Sequence, residues 1–401
     1  MKKVLLLGGS HFQVPSVKTA KKLGYYTITC DYLPHNPGHK YADAYVNVST
    51  TDKEAVLELA QKLKIDGIVC YASDPAAPTA AYVAEKMGLP TSPYKSVEIL
   101  ANKDKFREFL ADNGFCVPKA KGYAYQEMDK ILEEAAEFRF PVMVKPVDSS
   151  GSKGVSKVDS ADNMAEAVEE AVKYSRCKRI IVEEYVEKYG YQIAGDGFSV
   201  DGKLVFRCFA NEHFSPDGIN PYVPIGESWP YCMPERIHDK VHDEVQRALT
   251  LLKMGTQAYN FDIRIDKEEN VYLMEIGPRN GGNLIPQVTQ YATGVDMVSY
   301  TIKAAMGEEC SGLHMQKPSG YWANYMVHSS KAGILKEVRM DETFQRDNLV
   351  EFEMLFQKGD RVEAFTGSNG TLGTMILKFA SQEEMLEKMD NMEKWVTVVV
   401  E

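Results

Sequence analysis

Apolar runs and amphipathic segments alternate through the first 93 residues of the chain. Short apolar runs at residues 4–7, 26–30 and 66–71 predict strands, and residues 44–48 predict another. Helical patterns separate these runs, and one helix is predicted to begin at the capping box Thr51-x-x-Glu54. Because strands and helices alternate, this part is predicted to form a small parallel sheet with helices on both faces.

A distinctive polar segment follows the apolar strand predicted at residues 141–144. That strand leads into Lys145 and then into a loop of small residues, SSGSKG, at residues 149–154. Successive N–H groups, hydroxyls and an ammonium in such a loop form the kind of concavity that holds phosphate oxygens. The loop is not a P-loop, because its first lysine precedes the glycines. A solvated hairpin tip is the alternative interpretation.

A second candidate site lies in two apolar segments around a polar turn. Strands predicted at residues 260–265 and 271–276 would place Asp262 and Glu275 side by side across an antiparallel pair. Two opposed carboxylates are unfavourable unless a cation lies between them. Mg²⁺ held by these carboxylates and by substrate phosphates would neutralise them, and Arg279 follows four residues after Glu275.

Three further segments are less specific. Lys103 lies in a charged helix after residue 93, which by itself is typical of a solvated surface. An apolar strand predicted at residues 179–186 contains the pair Glu183 and Glu184. Such a pair indicates either a surface turn or a hinge whose backbone groups bind the edge of a purine. The segment alone favours the surface turn. Residues 209–234 show little periodicity and are typical of a long functional loop.

The C-terminal part repeats the mixture of strands and helices. A hairpin with Asp201 and Gly202 at its tip precedes it. Residues 321–329, 362–367 and 373–379 predict strands. Ser381 is predicted to begin a helix that extends to Trp395, and residues 396–400 predict a final strand.

Length and charge narrow the class of protein. The 401 residues allow two or three domains, and 46 basic against 57 acidic residues leave a formal net charge of −11. The chain contains no Lys/Arg-rich run, so nucleic acid is not expected as a partner. No segment approaches the ~18 apolar residues of a membrane span, so no membrane association is expected. Seven scattered cysteines without a C-x-x-C pair are typical of a reducing compartment, and a cytoplasmic location is expected.

Taken in order, these segments resemble the ATP-grasp superfamily over nearly the whole chain. The resemblance rests on the leading α/β part, Asn102-Lys103, VMVKPVDSSGSKGV, IVEEYV, and FDIRID followed by VYLMEIGPR. It implies an α/β fold: an ATP-grasp fold with an N-terminal pre-ATP-grasp parallel α/β domain and a small C-terminal α+β domain, as in a biotin-carboxylase-like arrangement. The implied domains are residues 1–93, residues 94–307 with a lid subdomain at about 118–190, and residues 308–401.

The resemblance also implies roles for the candidate residues toward ATP and Mg²⁺. Lys103 and Lys145 are implied to contact the nucleotide phosphates, and the loop is implied to close over them. The loop residues concerned are Ser149, Ser150, Gly151, Ser152 and Gly154. The further implied contacts are adenine at the backbone around Glu183, Glu184 and Val186, ribose at Gln192 or Glu187, and Mg²⁺ at Asp262 and Glu275. Arg279 and Lys153 are the implied catalytic residues, and Arg279 would steady the transferred phosphate or acylphosphate.

One position departs from the family pattern. The family often has an asparagine two residues after the metal-binding glutamate, and in this chain Gly277 stands there. Either Asn280 or Asn283 takes the place of that asparagine, or one ligand is lost.

The implied function is an ATP-dependent carboxylate–amine ligase that releases ADP and phosphate. Transfer of the γ-phosphoryl group to a carboxylate gives an acylphosphate that an amine attacks, and protein charges stabilise the transfer. The expected partners are small-molecule carboxylate and amine substrates, one of them an amino acid, and the family suggests a homodimer. The alternatives are an ATP-dependent carboxylase of the purine or biotin-carboxylase type, a catalytically impaired ATP-binding regulatory protein, and a nicotinamide oxidoreductase using Gly8-Gly9 and Asp31.

Overall fold

The computed structural model describes residues 1–215 and 218–401, which contain nineteen strands and twelve α-helices. The strands are β1 (Lys3–Leu7), β2 (Tyr26–Cys30), β3 (Ala44–Val46), β4 (Gly67–Cys70), β5 (Ala120–Ala124), β6 (Val142–Pro146), β7 (Ser156–Val158), β8 (Arg179–Glu184), β9 (Gln192–Val200), β10 (Lys203–Phe214), β11 (Pro224–Trp229), β12 (Gln257–Ile265), β13 (Val271–Gly277), β14 (Tyr321–Val327), β15 (Gly333–Met340), β16 (Leu349–Met354), β17 (Arg361–Val362), β18 (Gly373–Phe379) and β19 (Val396–Val400). The α-helices are α1 (Val14–Lys22), α2 (Lys53–Leu63), α3 (Ala77–Met87), α4 (Tyr94–Leu100), α5 (Lys103–Asp112), α6 (Met128–Glu134), α7 (Met164–Tyr174), α8 (Glu235–Leu251), α9 (Ile285–Thr293), α10 (Met297–Ala305), α11 (Glu342–Asn348) and α12 (Gln382–Met389). None of the helices in these ranges combines the length and the apolar surface that crossing a bilayer requires.

The N-terminal sheet is parallel, with the strand order β3-β2-β1-β4, which confirms the prediction from the alternating pattern. Side chains of β1 alternate between two buried clusters. Leu5 and Leu7 pack with α2 and α3, whereas Val4 and Leu6 pack with α1 and with α10, which comes more than 280 residues later in the chain. Helix α10 therefore ties this sheet to the rest of the molecule.

A four-stranded antiparallel sheet with the order β5-β8-β6-β7 packs one face against α6 and α7. Val144 of β6 and Val182 of β8 are buried in that core with Val168 of α7. Because side chains alternate along a strand, the neighbouring Lys145 and Glu183 lie on the opposite face. This face is turned toward the cavity described below.

The largest sheet has eight antiparallel strands in the order β13-β12-β9-β10-β11-β14-β18-β16. The hairpin β9-β10 turns at Asp201 and Gly202, both with positive φ, as predicted. Since β11 pairs with β14, the sheet is continuous across residues 307 and 308. The predicted domain boundaries stay a prediction, and the eight-stranded sheet spans the second boundary, between residues 307 and 308. The strands β17-β15-β19 form a further small sheet.

Three local predictions need correction. Helix α2 is capped by Asp52 and not by Thr51, since the Asp52 carboxylate accepts a hydrogen bond from Ala55 N at 3.1 Å. Strand β17 (Arg361–Val362) overlaps the strand predicted at residues 362–367 only at Val362. Helix α12 ends at Met389, and a 3₁₀ turn at Met392–Lys394 continues the segment toward β19.

Candidate active site

A cavity of about 470 Å³ lies between the four-stranded antiparallel sheet, the eight-stranded sheet and the loop after β4. The predicted site residues that line it are Lys103, Lys145, Ser149, Ser150, Gly151, Ser152, Lys153, Gln192, Asp262, Glu275 and Arg279. Gly154, Glu183, Glu184 and Val186 do not line it. The fold therefore brings residues from five separate sequence segments to one place.

Lys145 lies in a buried ion-pair network. Its Nζ donates to Glu183 Oε1 at 2.5 Å, and Arg107 Nε donates to Glu183 Oε2 at 2.9 Å. Glu183 is only 1% exposed, so the surface-turn interpretation of its segment is wrong for this residue. Burial acts to raise the pKa of Glu183, but the charges of Arg107 and Lys145 outweigh burial and lower that pKa to about 2. The network holds Lys145 at the cavity wall.

Lys103 connects the loop at residues 149–154 to the acidic residues across the cavity. Its Nζ donates to Ser149 O at 3.1 Å and lies 2.8 Å from Glu275 Oε2. Burial acts to lower the pKa of Lys103, but the charge of Glu275 outweighs burial and that pKa is raised. Lys153 lines the same cavity, and burial lowers its pKa. Arg107 lies one helical turn after Lys103, and this four-residue spacing of two cations is the signal that could have identified it.

The remaining hinge residues face away from the cavity or support it from behind. Glu184 points to the side opposite Glu183, and its Oε1 accepts a hydrogen bond from Arg139 N at 2.9 Å. Val186 contributes its carbonyl, which accepts from Arg264 Nη1 at 3.0 Å. The role predicted for this backbone toward adenine stays a prediction.

Gln192 lines the cavity with both ends of its amide engaged. Its Oε1 accepts from Arg264 Nε at 2.5 Å, and its Nε2 donates to Glu212 Oε2 at 2.5 Å. The alternative ribose contact, Glu187, is exposed and does not line the cavity. Between the two candidates, only Gln192 is in reach of a ligand in the cavity.

The loop at residues 149–154 packs against a turn of the C-terminal part. Gly151, Ser152 and Gly154 all have positive φ, and Gly151 O accepts from Ser368 N at 3.2 Å. A Cβ on Gly151 would collide with Ser368 Oγ, so conformation and packing both require glycine there. Glycine at position 154 allows the loop to pack on α7, since a Cβ there would lie 3.2 Å from Ala171 Cα; its role toward the nucleotide stays a prediction.

Four carboxylates from four strands form one side of the cavity, which we call the acidic wall: Glu275, Asp262, Glu212 and Glu227. Asp262 of β12 pairs with Glu275 of β13, which confirms the predicted side-by-side arrangement. Glu212 of β10 pairs with Glu227 of β11. Burial raises the pKa of Asp262 and of Glu212, and burial raises the pKa of Glu227 to about 8.

The sequence predicted Asp262 and Glu275 but missed Glu212 and Glu227. Strands β10 and β11 take up residues 209–214 and 224–229, which corrects the prediction of one long loop over residues 209–234; residues 216–217 of this segment lie outside the described residues. Strand β10 is buried on both faces over most of its length, so it lacks the alternation that identifies a half-exposed strand. Glu212 lies between Asn211 and His213, and Glu227 lies between Gly226 and Ser228, so no apolar run marked either glutamate in the sequence.

The acidic wall fits a divalent cation at Asp262 and Glu275. Asp262 Oδ1 is buried and has no hydrogen-bond partner among residues 1–215 and 218–401, and carboxylate oxygens are the ligands that Mg²⁺ prefers. No group of three or more His, Cys, Asp or Glu side chains in these ranges is placed to hold a metal ion alone, and Mg²⁺ commonly takes one or two carboxylates plus substrate phosphates. Asn283 lines the cavity, whereas Asn280 lies outside its lining and accepts from Thr301 Oγ1 at 2.7 Å.

Arg279 forms a two-point ion pair with Asp74 of the loop after β4. Nε donates to Oδ1 at 2.7 Å and Nη2 donates to Oδ2 at 2.6 Å. Burial acts to lower the pKa of Arg279, but the charge of Asp74 outweighs burial and that pKa is raised. The pair fixes the guanidinium at the cavity and joins the N-terminal sheet to the segment after β13.

Asp31 is engaged by its own loop. Its carboxylate accepts from Gly9 N at 3.0 Å, from Leu33 N at 3.0 Å and from Asn36 Nδ2 at 2.7 Å. This arrangement supports the loop after β1 and weighs against the nicotinamide alternative, which needs an aspartate open to a ribose.

Comparison with known proteins agrees with this geometry. The family model described as D-ala D-ala ligase C-terminus matches residues 110–299. Formate-dependent phosphoribosylglycinamide formyltransferase of Bacteroides thetaiotaomicron is 27% identical over 282 residues, which are 70% of this chain and 71% of the relative. L-amino acid ligase from Bacillus licheniformis superposes with a TM-score of 0.81 at 19% identity, covering 100% of this chain and 99% of that one. The biotin carboxylase domain of Hydrogenobacter thermophilus 2-oxoglutarate carboxylase, solved with MgADP, ADP and bicarbonate, superposes with a TM-score of 0.75 at 18% identity, covering 100% and 91%.

The fold and the cavity define the class: this is an ATP-grasp fold. Residues 110–299 match a ligase family model, and the relatives and structural neighbours of this chain are ATP-grasp enzymes of the ligase type. Enzymes of this superfamily use ATP and Mg²⁺, and their shared activity is ATP-dependent ligation of the kind that joins a carboxylate to an amine.

Proposed function

We propose that this protein activates a small-molecule carboxylate with ATP and joins it to an amine, releasing ADP and phosphate. The carboxylate oxygen attacks the γ-phosphorus of ATP, the bond to the β,γ-bridging oxygen breaks, and ADP leaves. The amine then attacks the acylphosphate carbon, loses a proton, and expels phosphate, so that an amide forms. The observation that carries the proposal is the single cavity in which lysines and a glycine-containing loop face the acidic wall beside Arg279.

Cations on one side of the cavity suit the nucleotide. Lys103, Lys145 and the loop at residues 149–154 line that side, and Lys153 belongs to the same loop. Ammonium groups and backbone N–H groups that are already in position stabilise the charge that develops on a transferred phosphoryl group. In this proposal Arg279 contacts the substrate carboxylate and then the acylphosphate.

Asp262 and Glu275 would hold Mg²⁺ in this proposal. When bound, the ion supplies positive charge that neutralises the phosphates and orients them. The acids themselves orient the cations around them: Glu275 keeps Lys103 beside the loop through their 2.8 Å ion pair.

Phosphate release tests the proposed function. The purified protein is mixed with ATP, Mg²⁺ and a panel of carboxylates, with and without amines, and the panel includes formate and bicarbonate. Phosphate released only when a carboxylate and an amine are both present, with the amide detected by mass spectrometry, is the expected result. Release with bicarbonate alone would indicate the carboxylase alternative, and no release with any member would indicate a protein that binds ATP without catalysis.

Substitution of the acidic wall tests the metal assignment. Glu275→Ala is expected to reduce turnover at least about 100-fold, because a carboxylate that would hold Mg²⁺ at the reacting phosphates is lost. Glu268→Gln, in the exposed turn of the same hairpin, is the matched control and should retain activity. Unchanged turnover in Glu275→Ala would refute the assignment of Mg²⁺ to this pair.

We also propose a cytoplasmic homodimer that contacts small molecules and not nucleic acid. The described cysteines are all unpaired, as the expected reducing compartment allows, and the formal net charge of −11 disfavours a polyanionic partner. Sedimentation at micromolar concentration should give the mass of two chains. A single-chain mass under these conditions would contradict the dimer.

A further inference from the structure

Glu227 ends the acidic wall on β11, and one of its two carboxylate oxygens has no partner among the described residues. The residue is 3% exposed and lines the cavity. Among residues 1–215 and 218–401, its Oε2 has no hydrogen-bond partner, and no lysine or arginine nitrogen lies within 4.0 Å of its carboxylate. A buried carboxyl group in this position is costly unless a ligand supplies the missing partner.

The other three members of the acidic wall each have a cation in their surroundings. The pairs are Glu275 with Lys103, Asp262 with Arg264, and Glu212 with Lys188. The charged group that acts on Glu227 is Asp196 of β9, and Glu227 in turn acts on Glu212 of β10; both neighbours are acids. Among the described residues, Glu227 is therefore the member of the wall that lines the cavity without a cation beside it.

Glu227 shares its end of the cavity with Arg279. Its N–H donates to Asn324 Oδ1, and Asn324 Nδ2 donates to Asn283 O at 2.6 Å. Asn283 belongs to the segment that directly follows Arg279 and also lines the cavity. Asp196 is a common neighbour, since its charge acts on both Glu227 and Arg279. An anion-binding group and a cation-binding group thus lie at one end of the same cavity.

We propose that Glu227 accepts hydrogen bonds from a primary ammonium group of the substrate whose carboxylate is held at Arg279, so that the activated substrate is an α-amino acid. The proposal deepens the proposed function and rests on it. Glu227 is a specificity residue in this proposal: it contacts the substrate but takes no part in phosphoryl transfer. A molecule with a carboxylate and an ammonium on neighbouring atoms satisfies both groups at once, whereas a simple carboxylic acid leaves Glu227 without a partner.

Matched substrate pairs test the proposal. Phosphate release is measured for wild-type protein with each of the twenty common L-amino acids and with the corresponding acid that lacks the amino group, for example L-alanine and propionate, with a fixed second amine. For the best amino acid, kcat/KM is expected to exceed that of its des-amino partner by about 100-fold. Equal kcat/KM values for the two members of the best pair would overturn the proposal without any variant.

Glu227→Gln then separates substrate recognition from structure. The variant keeps the shape of the side chain, and it is expected to lose about 100-fold in kcat/KM for the amino acid but less than about threefold for the des-amino acid. ATP affinity should stay within about twofold, and Glu268→Gln should match wild type for both substrates. Equal losses for both members of the pair would assign Glu227 a structural role and overturn the proposal.

A binding measurement distinguishes failure of this inference from failure of the proposed function. If no carboxylate gives phosphate release, the proposed function fails, and calorimetry with MgADP-loaded wild-type protein is used instead. Binding of an amino acid at least about tenfold tighter than its des-amino partner supports the ammonium site independently of catalysis. Equal affinities, or binding of neither across the panel, refute it.

Discussion

Two buried glutamates of this chain, Glu183 and Glu227, have opposite electrostatic surroundings. Both are at most 3% exposed. Arg107 and Lys145 contact Glu183 and lower its pKa to about 2, whereas burial without a cation raises the pKa of Glu227 to about 8. The same side chain is therefore part of a structural ion network in one position and an open ligand group in the other, because only the first has compensating charges.

The ion-pair network around Glu183 is expected to stabilise the folded protein. Glu183→Gln leaves two buried cations without their carboxylate and is expected to lower the free energy of unfolding by about 3 kcal/mol. Glu184→Gln is the matched control on the next residue: its ion-pair partner Arg139 is 79% exposed, so a loss below about 1 kcal/mol is expected. Urea denaturation measures both, and similar losses in the two variants would contradict the assigned network.

The pH dependence of stability provides a prediction for Glu227. Its pKa in the folded state is raised from 4.5 to about 8, so between these values the folded protein keeps a proton that the unfolded chain releases. Its contribution to stability is fully present below pH 4.5 and is lost as the pH rises through about 8. Relative to Glu227→Gln, wild-type protein should lose stability by up to about 1.4 kcal/mol per pH unit in this window.

The comparison between the two proteins isolates this contribution. Burial raises the pKa of the neighbouring Asp196 to about 7 and raises that of Glu212, but both residues are present in wild type and variant, so most of their effect cancels. Urea denaturation at intervals from pH 5 to pH 8 measures the difference. A difference that does not change with pH would show that Glu227 has an ordinary pKa in the folded protein.

At the scale of elements, the loop at residues 149–154 depends on one glycine. Gly151 has φ of +67°, and a Cβ there would collide with Ser368 Oγ, so Gly151→Ala must shift the loop away from the Ser368 turn. We expect turnover to fall roughly 10- to 100-fold because the loop no longer reaches the phosphates in its working position. Gly294→Ala is the matched control, with φ of +76° and no atom within 4 Å of the added Cβ.

Stability measurements and hydrogen exchange provide further tests of the same loop. Gly294→Ala should lose ~1 kcal/mol of stability from backbone strain, and Gly151→Ala should lose at least as much because of the added collision, but only Gly151→Ala should lose activity. In wild-type protein, exchange of residues 149–154 is expected to slow when ATP and Mg²⁺ are added, since the loop closes over the phosphates. Equal exchange with and without nucleotide would refute loop closure.

At the scale of the whole molecule, the pair Asp74–Arg279 joins the N-terminal sheet to the catalytic cavity. Asp74→Asn removes the charge that orients the guanidinium, and we expect kcat/KM for the carboxylate to fall about 10- to 100-fold while KM for ATP changes less than about threefold. Asp52→Asn is the matched control, since asparagine caps a helix as well as aspartate does. Steady-state kinetics with each substrate varied in turn makes the measurement; equal effects on both KM values would indicate general disruption.

Local patterns in the sequence were sufficient to predict the parallel N-terminal sheet, the hairpin at Asp201 and Gly202, and the pairing of Asp262 with Glu275. Each of these depends on residues close in sequence or on a regular alternation of apolar and polar positions. The motif order was sufficient to identify the superfamily, because Lys103, Lys145, the glycine-containing loop and Arg279 keep their order along the chain.

Only the tertiary structure decided which charges meet. Arg107 and Glu183 are separated by 76 residues, and Arg279 and Asp74 by 205, so no local pattern connects them. Glu227 illustrates the same limit. The surrounding strands bury this glutamate and, among the described residues, place no cation beside it, and neither fact can be read from the local sequence. The sequence by itself determined many of the elements, the resemblance to the superfamily and the candidate residues for ATP and metal. Long-range packing decided which of those side chains neutralise one another and which line the cavity, because electrostatic energy depends on distance and burial in space.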